Sequence, residues 1–289
     1  MKKEVLSSPI RWAGSKKRVL NEMLESFKKG KKNYVEPFLG SGVVMINVIN
    51  NIDELKYEDI YVNDINANII NFYKCLKTRP KELIKALHDI SDIYNSKTME
   101  EKENYFYKIR KEFNSSNENK SIYFYFLMKV GFNGVYRENK RGEYNVPFGK
   151  KEKFIIQEEY LLKISRIIKK VHFYNLSYDK FLAKMGNIGI LNDCFIYCDP
   201  PYIPDDKLIS QKQELYTSGS FNHFIFAEKM SNYKQKSSKI LISMSQSTLA
   251  DEIYGNRFFE KKLLDIFRII NPQKMFKSSE VLYSNYKID

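Results

Sequence analysis

Apolar positions recur along this chain with two different periods, and the switches between them divide it. Over residues 15–28, Val19, Leu20, Met23, Leu24 and Phe27 fall at helical spacing, and Gly30 stops the run. Tyr34-Val35-Glu36 predicts a short strand, Val43 to Val48 an apolar helix, and Ile60-Tyr61-Val62-Asn63-Asp64 a second strand ending in an acid. Strand, glycine turn, helix, strand and acid is the order of a nucleotide-binding βαβ unit. From about residue 75 to 157 three helical stretches follow one another without a strand, the second opened by a capping box of Thr98 and Glu101. Ile122 to Val130 is dense in aromatic residues and leads into a polar, glycine-punctuated loop from Gly131 to Gly149. Strands return at Val171–Asn175, Cys194–Cys198 and Lys239–Ser243, and Arg268–Ile270 with Val281–Lys287 predicts a closing antiparallel hairpin. The pattern reads as one α/β sheet domain interrupted by a helical insert.

Composition adds a partner class. A chain of 289 residues with 43% hydrophobic content buries a sizeable core. Its 48 Lys and Arg against 35 Asp and Glu give a formal charge of +13, which favours a polyanion such as nucleic acid. Because Lys, Asn, Ile and Tyr are abundant throughout, charge by itself does not decide the matter. Cys75, Cys194 and Cys198 are odd in number, which argues against a disulfide framework. Cys194 and Cys198 have no His nearby at ligand spacing, so no metal site is expected. No stretch approaches the roughly 20 apolar residues of a membrane span, and no secretory segment opens the chain, so a cytoplasmic protein is expected.

The most informative tetrapeptide is Asp199-Pro200-Pro201-Tyr202, directly after the apolar strand ending at Cys198. Ligands bind at the carboxyl ends of strands in open parallel sheets. An acid, two rigid prolines and an aromatic ring there suit the exocyclic amine of adenine, a poor nucleophile whose lone pair is delocalised into the ring. A carboxylate and a fixed carbonyl accepting its two N–H bonds localise that lone pair, and proline brings no competing N–H. Tyr202 would stack on a base taken out of the duplex. The alternative is a tight turn, for which Asp-Pro is a common dipeptide. Phe38-Leu39-Gly40-Ser41-Gly42 lacks the third glycine of a dinucleotide fingerprint, which points away from NAD. Asp64 lies 22 residues beyond Gly42, where an acid takes ribose hydroxyls. Taken singly, the glycine turn and the acid read equally well as a plain strand-to-helix turn and a solvated Asp.

Within the insert, Gly131-Phe132-Asn133-Gly134-Val135-Tyr136-Arg137 and Arg141-Gly142-Glu143-Tyr144-Asn145-Val146-Pro147-Phe148-Gly149 interleave aromatics, amides and Arg. Phe wedges between bases, Asn bonds an unpaired base edge and Arg grips guanine. A small core for the helices is the competing account, most natural for Phe148. His88, His172 and His223 have no Ser, Cys or acid partner at a motif spacing, so no triad is assigned.

These pieces, in this order and with Arg11-Trp12-Ala13-Gly14-Ser15-Lys16 and Asn63-Asp64-Ile65-Asn66, resemble the Dam family of DNA adenine methyltransferases, the D12 class or alpha group of amino-methyltransferases, over essentially the whole chain. The tetrapeptide occurs in other amino-methyltransferases too, whereas the Arg141 to Gly149 run is much more specific. The resemblance implies an α/β fold, namely a class I, Rossmann-like methyltransferase sheet with a helical target-recognition insert. Residues 1–74 and 158–289 would form the S-adenosylmethionine-binding catalytic domain and 75–157 the DNA-binding insert. By matching position it implies cofactor contacts at Trp12, Lys16, Phe38, Gly40, Gly42, Asp64, Ser177, Tyr178 and Asp199, and a Lys16–Asp199 pair. It implies DNA contacts at Arg11, Phe132, Asn133, Val135, Arg137 and Pro147, catalysis at Asp199, Pro200, Pro201 and Tyr202, and no metal. The expected partner is double-stranded DNA, with GATC as the family's commonest target. A monomer is expected, and a cognate restriction endonuclease is left open. Here Arg11 stands where the family commonly has Lys, Ser15 where it has a second Gly, and Phe132 where it often has Tyr. Two rivals stay open on sequence: an amino-methyltransferase of cytosine, RNA or protein glutamine, and a catalytically silent DNA-binding module.

Overall fold

The structure, a computed structural model, describes residues 3–12, 14, 16–203, 221–233, 237–271 and 274–288, with side chains outside 265–278. Its strands are β1 (Asn33–Glu36), β2 (Asp59–Asn63), β3 (Val171–Tyr174), β4 (Cys194–Cys198), β5 (Lys239–Ser245), β6 (Glu260–Asn271) and β7 (Lys274–Ser284). Its helices include α1 (Leu20–Glu25), α2 (Val43–Asn50), α3 (Ile52–Leu55), α4 (Ala67–Thr78), α5 (Pro80–Asn95), α6 (Met99–Ser115), α7 (Lys120–Val130), α8 (Glu158–Ile167), α9 (Tyr178–Asn187) and α10 (His223–Asn232). Two compact units emerge. The first holds Met1–Lys16, Gly40–Asn50 and Asp64–Asn175, the second Lys17–Leu39, Asn51–Asn63 and Leu176–Asp289.

In the second unit the strand order is β2-β1-β4-β5-β7-β6, while β3 falls in the first unit. β1 runs parallel to β2 and β4, and β4 parallel to β5, with Val35 beside Ile196 and Cys198 beside Ile242. β7 enters antiparallel between β5 and β6, closing the expected terminal hairpin. β1 and β4 are buried along their whole length, as parallel strands covered on both faces are, and β4 reads as an unbroken apolar run. Tyr34, Tyr57 and Phe195 pack together there, the rings of Tyr57 and Phe195 stacked 6.0 Å apart. Parallel strands share a carboxyl edge, so the residues following β1, β2 and β4 emerge at the same end. Buried Asn63 ties that edge: its amide donates to the carbonyls of Pro37 at 3.0 Å and Leu176 at 2.9 Å, and its oxygen accepts the Leu176 N–H at 2.9 Å.

The helix expected over 15–28 is shorter than its periodicity predicts: a 3-10 turn at Lys16–Arg18 and then α1. Past α1 the carbonyls of Ser26 and Lys28 accept from the hydroxyls of Tyr286 and Tyr57 at 2.5 and 2.8 Å, bonds that replace further helical turns. β2 ends one residue before the predicted acid, Asp64, whose carboxylate bonds the backbone N–H groups of Gly40 and Asn66. α3, α4, α8, α9 and α10 are additions to the predicted elements.

The first unit packs its helices around aromatic rings. Phe72 on α4 stacks on Tyr125 of α7 at 5.5 Å, and Phe126 meets Phe154 edge-on at 5.1 Å. α6 opens with the expected capping box: Thr98 Oγ1 accepts from Glu101 N at 3.4 Å, and Glu101 Oε2 accepts from Thr98 N at 2.8 Å. Those Thr98 hydrogen bonds hold the Glu101 carboxyl below the ordinary range. Among the described residues no helix is long and apolar enough to cross a membrane.

Candidate active site and target-reading loop

In the first unit a carboxylate organises the glycine turn. Asp64 Oδ2 accepts the Gly40 N–H and Oδ1 the Asn66 N–H, both at 2.8 Å, and Asn66 in turn caps α4. Burial raises the Asp64 pKa, and these two backbone donors offset part of the rise. The Trp12 indole lies over the turn, its Cδ1 3.6 Å from where a Gly40 Cβ would sit. Ile65, next to Asp64, is 77% exposed, a large apolar side chain set in solvent beside the acid. Lys16 is buried on its 3-10 turn. Ala13 and Ser15 of the same motif lie outside the described residues. Gly42 has φ +74°, and a Cβ there would fall 2.6 Å from the Tyr73 hydroxyl, which donates to the Ser41 carbonyl at 2.5 Å. Gly42→Ala therefore combines left-handed strain with a clash. A loss on the order of 1–3 kcal/mol is expected in urea unfolding, and unchanged stability would contradict this geometry.

The Gly131–Gly149 loop is pinned at its base. Gly131 and Phe148 form an antiparallel bridge, as do Glu138 and Tyr144. Asn114 of α6 holds Tyr144 by both its backbone groups at 2.9 and 3.0 Å, and Arg110 donates to the Val146 carbonyl at 3.0 Å. Tyr144, Val146 and Phe148 are buried, the last against Phe106, so the small-core account holds for these three. The other residues point outward: Phe132 is 52% exposed, Asn133, Arg137 and Pro147 are exposed, and Val135 is half-buried. Asn133 and Gly134 both adopt left-handed φ, +54° and +61°, conformations Asn and Gly tolerate best. Gly134 is also a contact point, because a Cβ there would sit 2.5 Å from Arg11 Cδ. The Arg11 stem thus lies on the loop, bringing together residues far apart in sequence. Arg137 is held through its Nε, which donates to Asn145 Oδ1 at 2.8 Å.

Two further residues of this surface make contacts that the sequence does not foretell. Tyr136 stacks on Trp12 at 5.3 Å and accepts from Asn68 Nδ2 at 2.9 Å, joining the loop to the turn organised by Asp64. Lys129 lies over the Tyr125 ring at 5.2 Å, and burial together with Arg11 lowers its pKa to about 8. Lys129 precedes the loop motif and Tyr136 lies within it, but no spacing singles out either one for these contacts.

In the second unit Asp199 follows β4, half-buried, with Pro200 buried, Pro201 exposed and Tyr202 half-buried. Ser243 Oγ donates to Asp199 Oδ1 at 3.3 Å, and the Tyr202 hydroxyl donates to Glu280 Oε1 at 2.6 Å. Phe38 and Tyr178 meet at 5.6 Å, with Phe221 and Phe226 completing an aromatic wall. Ser177 precedes α9, and its hydroxyl bonds the Asp179 carboxylate and lowers its pKa. His223 donates to or accepts from the Tyr254 hydroxyl at 2.8 Å, and burial lowers its pKa to about 4, so it stays neutral as a packing group. A groove of about 710 Å³ between α5, α6 and α7, lined by Asp89, Glu101, Tyr105 and Tyr123 among others, contains none of the residues expected to bind cofactor or DNA.

The chain is similar to known proteins over most of its length. A family model described as D12 class N6 adenine-specific DNA methyltransferase matches residues 12–277. The type II methyltransferase M.MjaIII of Methanocaldococcus jannaschii is 29% identical, covering 91% of this chain and 92% of the relative. The DNA adenine methylase of Haemophilus influenzae is 29% identical over 94% of this chain and 91% of its own. That of Escherichia coli K12 is 32% identical over 68% of this chain and 64% of its own.

Proposed function

The chain belongs to the D12 class of N6 adenine-specific DNA methyltransferases, with S-adenosylmethionine as methyl donor, and we propose that it modifies the adenine of GATC in double-stranded DNA after turning that base out of the stack. The α/β fold with its mixed sheet is the class I methyltransferase architecture that the resemblance implies. Bound S-adenosylmethionine supplies a methyl group on a positively charged sulfur, already activated for displacement.

The residues present suit that donor. Asp64 offers a carboxylate at the end of β2 to ribose hydroxyls, with Trp12 and exposed Ile65 as apolar surfaces for the adenine ring. Gly40 and Gly42 let the backbone approach closely and Lys16 adds a cation; Phe38, Ser177 and Tyr178, expected by resemblance to contact the cofactor as well, belong to the aromatic wall of the second unit. Asp199 and the Pro200 carbonyl accept the two N–H bonds of the target amine. Its lone pair then points away from the ring, and Tyr202 stacks on the base. Residues 75–157 read the target, whereas 1–74 and 158–289 carry the chemistry.

The observation that carries the target assignment is the outward face of the pinned loop: exposed Phe132, Asn133 and Pro147 beside an Arg137 oriented by Asn145. A wedge, an amide and a fixed guanidinium are the equipment for opening a duplex and reading a guanine. The test is radiolabelled methyl transfer to duplexes containing GATC or one of its single-base variants. A preference for GATC supports the reading, and equal rates on all would overturn it.

Asp64→Ala is expected to raise the KM for S-adenosylmethionine by roughly 10–100-fold, the worth of about 1.5–3 kcal/mol for hydrogen bonds to a charged group. Ribose contacts are alike in ground and transition states, so kcat should change far less. Trp12→Ala should act in the same direction through lost stacking. Steady-state kinetics with varied cofactor check both, and an unaltered KM in either would place the cofactor elsewhere.

A further inference from the structure

Two buried polar side chains outside every motif contact the Asp199–Tyr202 tetrapeptide. Ser243 is 0% exposed and Glu280 is 1% exposed. Buried polar groups on this scale need partners, and theirs include the motif. The sheet register explains the encounter. Tyr197 lies beside Leu241 on β5, so two residues on, with side chains alternating along each strand, Asp199 and Ser243 share one face. Ser243 lies opposite Leu282 and Ser245 opposite Glu280, which brings Glu280 of β7 to the same face. Ser243 has one hydroxyl proton, given to Asp199 Oδ1 at 3.3 Å, so the Tyr197 hydroxyl 3.0 Å away donates to Ser243. The result is a directed chain from Tyr197 through Ser243 to Asp199. On the other side the Tyr202 hydroxyl donates to Glu280 Oε1 at 2.6 Å, at the short end for an O–H···O bond.

We propose that Ser243 and Glu280 are positioning residues of the methyl-transfer reaction: Ser243 sets the rotation of the Asp199 carboxylate that accepts the amine, and Glu280 fixes the Tyr202 ring against which the base is stacked. The proposal rests on the adenine-methylating role of the tetrapeptide given above. It adds that β5 and β7 build the geometry that β4 presents. A carboxylate that turns freely about its last bond meets the amine in many orientations, and an unanchored ring leaves the base loosely held; both lower the turnover step and not cofactor capture.

The test uses the purified full chain, with duplexes carrying adenine or 2-aminopurine at the target position. Glu280→Ala and Ser243→Ala are each expected to slow single-turnover transfer by roughly 10–100-fold, the usual worth of an orienting partner. The KM for S-adenosylmethionine should stay within about twofold. Glu280→Ala should also change the 2-aminopurine fluorescence that reports the unstacked base, and Glu280→Gln, whose amide oxygen still accepts from Tyr202, should recover most of the rate. Should Glu280→Ala fail to fold, Tyr202→Phe removes the same hydrogen bond without a cavity. It is then expected to reproduce the Glu280→Gln rescue pattern in reverse, with loss of rate and no further loss in the Tyr202→Phe/Glu280→Gln double variant. Wild-type rates in these variants, or equal losses in rate, cofactor binding and thermal stability with no rescue by Gln, would overturn the proposal alone. A wild-type protein that left adenine unmethylated would overturn the parent reading and this inference with it.

Discussion

Asp199→Ala is expected to lower methyl transfer by roughly 10²–10³-fold, the scale on which removing one preorganised electrostatic partner acts on the reaction step. The adenine amine is nucleophilic only when its lone pair is drawn out of conjugation, and that requires acceptors on its two N–H bonds. In the proposed mechanism Asp199 is one, held by Ser243 at 3.3 Å just beyond the carboxyl end of β4. In the same mechanism the Pro200 carbonyl is the other, and it stays in the variant, which would leave the amine half-oriented. Duplex affinity should change little, because the carboxylate serves the amine and not the phosphates. Asp199→Asn is a sharper probe: it keeps the volume but puts an N–H donor where an acceptor is needed. Single-turnover transfer measured beside duplex binding separates the two effects. Wild-type transfer by Asp199→Ala would dismiss the mechanism, and loss of duplex binding in step with rate would assign Asp199 to the DNA surface.

The second large effect concerns sequence choice. Arg137 is exposed on a loop fixed by α6, and Asn145 engages its Nε at 2.8 Å. A guanidinium oriented in this way presents a fork that matches O6 and N7 of guanine, a geometry Lys reproduces poorly. Losing that pair should cost on the order of 1–3 kcal/mol of discrimination at one base pair. Arg137→Ala is therefore expected to relax preference at one outer position of GATC, with smaller changes at the central adenine. Asn145→Ala should act in the same direction and more weakly, because it frees the guanidinium without removing it. A phosphate-binding arginine would instead weaken all sequences alike and flatten the salt dependence. Rates on GATC and its single-base variants, wild type against mutant, decide between these roles.

The parts legible in the sequence are those where local chemistry and local geometry coincide. β4 announces itself as an unbroken apolar run because both its faces are covered. Thr98 and Glu101 announce α6 because a capping box is a contact three residues long. Asp199-Pro200-Pro201-Tyr202 is visible because its chemistry is contiguous. What escapes is what only the register brings together. Ser243 is one serine in an apolar strand, and Glu280 falls in a stretch of Lys and Ser; neither differs in pattern from a solvated side chain until β5 and β7 set them beside the motif. Tyr136 reads as one more aromatic in an aromatic-rich loop, and its stack on Trp12 at 5.3 Å joins positions that no helical or strand period relates. The periodicity over 15–28 overstates α1 because it carries no sign of Tyr57 and Tyr286 taking the carbonyls that would extend the helix.

The central claim, transfer of a methyl group to the N6 amine of adenine within GATC, is tested most directly by one measurement. Duplex DNA of mixed sequence is incubated with the purified protein and S-adenosylmethionine, and the modified bases are then sequenced. The account predicts N6-methyladenine at the adenine of GATC on both strands, formed roughly 10²–10³-fold more slowly with Asp199→Ala. Methyl groups on cytosine N4, on adenines without regard to sequence, or on no base at all would contradict it.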